Sequence, residues 1–491
     1  MNYFIGLDNG GTVIKACVFD ENGKQISIDK QKVSLMIPAD GYTERDLLTV
    51  WQANYTAIKN AVSASGVDKN HIKSIGISGH GKGLYLLDKA GKELYNGIVS
   101  TDTRAIEIRQ FYEKNGVSEK IYEQNCQKIL ESQPVCLLRW LKENDPEIYS
   151  QIGYVLSVKD YIRYKLTGKI YAEYTDISGS NLINLKTGKK DREQLKLFGV
   201  EEMYDCIPEI RNSFENCGTL TVGCAELVGL STDVIVCGGM FDIDACALSV
   251  GITDDRDICV IAGTWSINEY ISKTPVTASR SMNSMYCLEG YYLVEECSPT
   301  SAGNFEWFMN EFMDGKNYDE VSAEIDKINP EDSNVLFLPF LFASNEDNPY
   351  LKGTFAEITP KTHKNELARA VFEGIVFAHK RHIDKLLEAR ETPRAVRLTG
   401  GAANSEVWAQ MFADILELRV ETVADREHGC FGAGLAGAVC AGIFPDIGSA
   451  MQNTVKVGKV FEPDLQKSGV YRAKFDRYKR LISAVSEYYG M

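Results

Sequence analysis

Several features that would place a sequence in a class at once are missing here. No run of about 18 apolar residues, the length a helix needs to cross a bilayer, occurs anywhere in the chain. No C-x-x-C pair is found among the 13 cysteines. Their odd number and single placement in apolar stretches fit buried, reduced thiols rather than a disulfide framework. A cationic excess is missing too: 53 Lys and Arg stand against 68 Asp and Glu, a net charge of −15. Nothing domain-wide could therefore neutralise a nucleic acid or an anionic membrane surface. A polyanionic ligand would have to be held by local groups and a metal ion. Histidine is scarce, with six residues, and the helical pair His379 and His382 has no carboxylate and cysteine set beside it to make a metal site. No basic stretch with an apolar core precedes the first strand, and no Pro-rich linker or low-complexity tract interrupts the chain. These absences lead us to expect a cytoplasmic globular protein with neither membrane nor nucleic acid among its partners.

What is present is ordinary in amount and informative in order. A chain of 491 residues with 44% hydrophobic and 25% charged residues should form two large domains or three smaller ones. Helical patterns such as "RDLLTVWQANYTAIKNAVSASG" and "ELARAVFEGIVFAHKRHIDKLLEAR" alternate with short apolar strands such as "IKSIGIS", "DVIVCGG" and "AVRLTGG". That alternation predicts an α/β fold.

The opening, "MNYFIGLDNGGTVIKACVFDENGKQI", packs unusual residues into a turn. Phe4 to Leu7 and Val13 to Phe19 read as strands, with Asn22-Gly23 turning into a third. Gly10 and Gly11 on the first turn would permit positive φ and leave N–H groups open to an anion. Thr12 adds a hydroxyl, Lys15 a charge, and Asp8 a carboxylate placed to hold a hydrated cation. A Gly-rich hairpin with an exposed Asp explains this turn equally well when it is taken alone. However, "DICVIAGTWSINEYISK" repeats the design, with Gly263, Thr264, Trp265 and Ser266 between two strands. A third glycine turn, Gly400-Gly401 in "VRLTGGAANSEVWAQMFADILE", leads into a helix starting near Asn404-Ser405, which would let a ribose or flat ring approach the backbone. Two phosphate turns and one nucleoside turn, in this order, describe an ATP clamp between two similar domains. A Rossmann dehydrogenase does not fit, because the opening glycines precede a strand and not a helix.

These segments resemble the FGGY carbohydrate kinases of the actin, Hsp70 and hexokinase superfamily, over essentially the whole chain. "GLDNGGTVIKACVFD" looks like the family's first phosphate motif, "AGTWS" its second and "LTGGAANS" its adenosine motif. "GGMFDIDACALSVG" matches the stretch with the catalytic aspartate, which falls on Asp242, with Asp244 two residues on. "LPFLFASNEDNPYLKGTFAEIT" looks like a family core segment and "FGAGLAGAVCAG" like its late small-residue helix. Leu137 stands where the family signature usually has lysine, and "ASNED" where many members carry Glu-Arg-Thr-Pro; both put the substrate in question, not the class.

The resemblance implies two actin-like (ribonuclease H-like) ATPase domains, residues 1–246 and 247–491, with an active-site cleft between them. It also implies ATP and Mg2+ as cofactors, with the metal near Asp8 and Asp242 and the nucleotide at Gly10, Gly11, Thr12, Lys15, Gly263, Thr264, Gly303, Gly400, Gly401 and Asn404. Asp242 would act as general base; a helix cap is its other reading. For the sugar, the loop "SGHGKG" offers His80 and Lys82, and "STDTRA" offers Asp102 and Arg104 as acceptor and forked donor, against a plain solvated loop. Trp307 is expected to pack a helix, with Ala302 and Gly303 bordering the nucleotide. "ISGHGKGLYLLDKAGK", "STDTRA" and "SPTSAGNFEWF" most resemble the family's L-xylulose kinases, so the expected substrate is a ketose. D-xylulose, L-ribulose, 3-keto-L-gulonate, gluconate and glycerol stay open. So do a non-catalytic actin-fold nucleotide-binding or sugar-sensing role, and a homodimer, which is common in such kinases.

Overall fold

The computed structural model describes residues 1–278, 280–342, 344, 348, 350–424 and 426–490. Most of the "ASNED" run noted above lies outside the described residues. The amino-terminal pattern folds as its periodicity requires. Strand Tyr3–Asn9 pairs antiparallel with Val13–Asp20, which pairs antiparallel with Gln25–Lys32. Gly23, at φ 78°, makes the second turn. The first strand also pairs parallel with Ile72–Gly79. It belongs to a seven-stranded sheet in the order Asn216–Thr219, Ile235–Cys237, Ile72–Gly79, Tyr3–Asn9, Val13–Asp20, Gln25–Lys32, with Met240–Phe241 added beside Ile72–Gly79.

A second seven-stranded sheet repeats the plan. Asp257–Ala262 pairs antiparallel with Ser266–Ser272 and parallel with Ala395–Gly400, and the sheet continues through Val420–Val423 and Val457–Phe461. The two Gly-Thr hairpins thus lie on different sheets, each with a parallel neighbour on the same side, as a duplicated design requires.

The chain forms two compact units: Met1–Thr253, Ser272–Leu293 and Arg426–Val455 in the first, and Asp254–Ile271, Val294–Asp425 and Lys456–Met491 in the second. This division differs from two contiguous halves, and the reason is packing. Helix His428–Cys440 carries the small-residue pattern, and it lies so close to the first sheet that a Cβ on Gly6 or Gly76 would stand 1.7 Å from the carbonyl oxygens of Cys430 and Ala433. Only a helix and strands that are bare at those points approach so closely.

Another face of the first sheet is covered by helix Leu47–Ser65, whose Val50, Ala57, Ile58 and Ala61 join the core. Asp46 caps it by accepting from the Thr49 N–H, and Gly66, at φ 65°, ends it. Leu137 is fully buried in helix Pro134–Asn144, within a separate core cluster. In the second unit, helix Lys364–Leu387 is buried along much of its length.

Candidate active site

In the first unit the sheet places Asp8 opposite Lys15 across the hairpin and beside Ser78 on the parallel strand. Ser78 Oγ donates to Asp8 Oδ1 at 2.9 Å. Burial pushes the Asp8 carboxyl up, while Lys15 and the Ser78 hydroxyl restrain the shift. Lys15 Nζ sits 2.7 Å from Glu427 Oε2, and Lys30 takes the other oxygen. Burial opposes the charge of Lys15, yet Asp8 and Glu427 more than offset it and the ammonium titrates above its usual value. The cation that the sequence offered to phosphate is therefore tied within its own unit.

Asp242 is the first residue of helix Asp242–Ser249, not its cap; the cap position is Phe241, which makes no side-chain capping bond. The Asp242 carboxyl is pushed well above the usual range, by burial first and then by the charges of Asp8 and Asp176, against the Ile243 N–H and Lys82. Asp244 is fully buried and its Oδ1 accepts from the Cys287 N–H at 3.0 Å. The two aspartates of "FDID" are thus separated by environment: one is half-buried among other acids, the other is bound inside the core.

The "SGHGKG" loop leaves the end of strand Ile72–Gly79. A Cβ on Gly81 would lie 2.5 Å from the Phe241 ring, so glycine lets the loop rest against the residue before Asp242. Lys82, at φ 62°, holds a left-handed backbone that costs a non-glycine residue about 1 kcal/mol or more. His80 is buried, with Nε2 3.1 Å from Tyr85 OH and Nδ1 3.3 Å from Gly81 O. Burial, aided by Arg45, pulls its pKa down to about 3, so it is neutral.

Asp102 and Arg104 are arranged differently from the expected acceptor and donor for sugar. Arg104 Nη2 donates to Asp102 at 2.8 Å and to Glu44 at 2.7 Å, and its Nε also donates to Asp102. Asp102 Oδ2 takes the Thr43 N–H at 2.6 Å as well. The Arg104 guanidinium lies 4.2 Å from the centre of the Tyr42 ring. Both side chains are buried, and these groups are turned on one another.

Two of the three glycine turns do not take the backbone conformation that glycine permits. Neither Gly10, Gly11 nor Gly263 adopts positive φ; among the three turns only Gly400, at φ 85°, does. A Cβ on Gly11 or Gly263 would meet nothing within 4 Å, so what glycine provides there is open space beside the backbone, not a special conformation. Gly10 O is held instead by both terminal nitrogens of the buried Arg45, at 3.1 Å each.

In the second unit a cavity of about 470 Å3 is lined by Gly263, Thr264, Ala302, Gly303, Phe305, Glu306, Tyr318, Asp319, Ser322, Phe372, Gly401, Asn404, Ser405 and Trp408. Phe372 and Trp408 stack with ring centres 4.0 Å apart. The Ala302 N–H donates to Gly263 O at 2.8 Å, joining the hairpin turn to the start of helix Gly303–Phe312. This volume suits a nucleoside-sized ligand with apolar walls and a few polar groups. Trp307 lies on that helix with its ring against Phe312. His379 is buried in a neutral network with Ser266, Asn268 and Ser301. Thr12 and Thr264 are both exposed at their turns. Replacing either by alanine is expected to raise the KM for ATP roughly 10-fold, as loss of a hydrogen bond to a charged group should. Steady-state kinetics checks this, and unchanged values for both would mean that neither turn grips phosphate.

A glycine turn between antiparallel strands, repeated on two sheets with a nucleoside-sized cavity beside one and paired carboxylates beside the other, defines a two-domain phosphotransferase. Residues 3–249 match the N-terminal domain, and residues 258–441 the C-terminal domain, of the FGGY family of carbohydrate kinases. The chain belongs to this family: it is a carbohydrate kinase, with ATP as phosphate donor. It is 36% identical over 490 residues to the L-xylulose/3-keto-L-gulonate kinase of Escherichia coli, covering 99% of this chain and 98% of that protein. It is 38% identical to a probable L-xylulose kinase of Haemophilus influenzae, covering 99% of each. The fold is shared with a ligand-bound xylulose kinase from Lactobacillus acidophilus (TM-score 0.91, 24% identity, 100% of this chain and 99% of the other). It is also shared with a Plasmodium falciparum glycerol kinase with ADP (TM-score 0.86, 19% identity, 98% of each).

Arg45, Ser78, Glu427, Phe372 and Trp408 were not found by sequence reasoning. The Lys15–Glu427 pair spans 412 positions, and no local spacing announces such a partner. Trp408 did carry a signal, since it lies four residues after Asn404 on the helix that the nucleoside turn starts.

Proposed function

We propose that this carbohydrate kinase phosphorylates the terminal hydroxyl of L-xylulose or a closely similar ketose, with Asp242 as general base. The observation that carries the substrate is full-length similarity to proteins named for L-xylulose, at 36% and 38% identity. Asp242 suits the base role because it opens a helix, is only half-buried, and has a basicity raised by its surroundings. The acceptor would lie along the "SGHGKG" loop, with Lys82 and Asp242 as its polar contacts. Because His80 is neutral and bonded to Tyr85, it would shape the pocket and contribute no charge. Asp102 would hold the backbone N–H of Thr43 and Arg104 the carboxylate of Glu44, fixing that segment and not the sugar. The nucleoside would occupy the second-unit cavity at Gly303, Asn404 and Gly401, the last next in sequence to Gly400, with Gly263 and Thr264 as phosphate contacts in that unit; Gly10, Gly11 and Thr12 are the phosphate contacts proposed for the first unit.

Asp8 and Asp242 fit a magnesium ion: both are oxygen donors, and the charge of Asp8 raises the cost of ionising Asp242, which a divalent cation would relieve. When bound, Mg2+ screens the charge of the polyphosphate. The reading takes the cytoplasm as the compartment, which the 13 free cysteines support, and a homodimer as the assembly on family resemblance alone.

A ketose panel tests this reading through ADP release by purified protein with Mg-ATP. L-xylulose should exceed its epimers by roughly 5- to 150-fold, since a wrong epimer leaves a buried polar group unpaired at about 1–3 kcal/mol. Glycerol or gluconate used far better than every ketopentose would overturn the substrate. No sugar-dependent ADP release at all would favour a non-catalytic role. The name of the E. coli relative makes 3-keto-L-gulonate the second substrate to assay.

A further inference from the structure

Asp242 inherits its direction from the peptide before it. Phe241 ends the short strand Met240–Phe241, which pairs with Ser78–Gly79 at the end of a central strand. The N–H of Phe241 donates to a side chain, Thr175 Oγ1, at 2.8 Å in a buried setting. Because that oxygen accepts from the N–H, its own proton is directed to Glu173 Oε2, 2.8 Å away. Glu173 is held in turn: its Oε1 accepts from Ser213 Oγ at 2.8 Å and from the Thr175 N–H at 2.9 Å, and Lys159 Nζ lies 3.3 Å from Oε2. Thr175, Glu173 and Lys159 are all fully buried. A buried chain of donors and acceptors in which every direction is forced has one low-energy arrangement, and it ends on the residue preceding Asp242.

Resting on the reading of Asp242 as base, we infer that Thr175 is a positioning residue for it. With its hydroxyl anchored by Glu173 and Lys159, Thr175 fixes the Phe241 peptide and so aims the Asp242 carboxylate. A capping or packing role would need only the methyl and the backbone. The positioning role needs the hydroxyl, which both accepts from Phe241 and donates to Glu173. Small displacements of a base cost turnover while leaving substrate binding in place.

The test is a double-mutant cycle on the full-length enzyme with Mg-ATP and the best sugar of the panel. Thr175→Val should lower kcat 10- to 100-fold while the KM values of both substrates stay within about threefold. Thr175→Ser should recover most of that loss. In an Asp242→Asn background, Thr175→Val should cause little further loss, because it acts through the group already removed. If Thr175→Val fails to fold, Glu173→Gln replaces it in the same cycle, with the same non-additivity expected. A full multiplicative loss in the Asp242→Asn background, or unchanged kcat in the single variant, would overturn positioning and leave the base standing. Near-normal turnover of Asp242→Asn itself would overturn both.

Discussion

Asp242→Asn is expected to lower kcat by about 100-fold or more, with ATP still bound. The amide keeps the size of the side chain and its place at the start of helix Asp242–Ser249, so what is lost is the ability to take a proton and the negative charge beside the proposed metal. The cavity proposed for the nucleoside lies in the second unit, so ATP should still bind there even where the proposed metal contact of Asp242 is lost. Turnover by rapid-quench or coupled ADP assay reads the first quantity, and nucleotide titration the second. Asp244→Ala should act differently. That carboxylate accepts a buried backbone N–H at 3.0 Å, and its loss should appear mainly as lowered stability. Full turnover in Asp242→Asn would return Asp242 to a purely structural position.

Gly76→Ala is expected to be among the most destabilising single-methyl changes in the protein, and Gly6→Ala its equal. Each new Cβ would sit 1.7 Å from a carbonyl oxygen of helix His428–Cys440. No rotamer relieves a clash between a Cβ and a backbone atom, so the helix must move off the sheet. Overpacking of this kind costs about 3 kcal/mol at the upper end of its usual range, equivalent to a drop in Tm of roughly 5 °C for a unit of this size. Gly11→Ala is the contrast, since its Cβ meets nothing within 4 Å; its Tm should stay within about 1 °C of the parent. Differential scanning calorimetry distinguishes them, and a Gly76→Ala protein as stable as the parent would mean that the helix has room to shift. Activity should fall with stability in Gly76→Ala, because the same helix brings Gly429 against the Asp8 carboxylate: a Cβ on Gly429 would stand 2.9 Å from Asp8 Cγ.

The sequence by itself determined the parts that depend on neighbours along the chain. Alternating short apolar strands and helical patterns were enough for the α/β class. The three glycine turns at Gly10, Gly263 and Gly400 lie at strand ends because strand length and turn residues are local properties. The duplicated hairpin was legible for the same reason, and the family resemblance followed from these motifs in their order. The tertiary structure decided what each polar group faces. It turned Asp102 and Arg104 on one another and onto Glu44, bound Lys15 to Glu427, and set Arg45 on the Gly10 carbonyl. It also placed Thr175 under Phe241 and returned the helix His428–Cys440 to the first unit. Apart from the Asp102–Arg104 pair, which is two residues apart, these contacts join residues far apart in the chain, where burial makes an unpaired polar group costly and the nearest complementary group takes it. A one-dimensional pattern specifies which residues can donate and accept. Which of them meet is settled only when two surfaces close on each other.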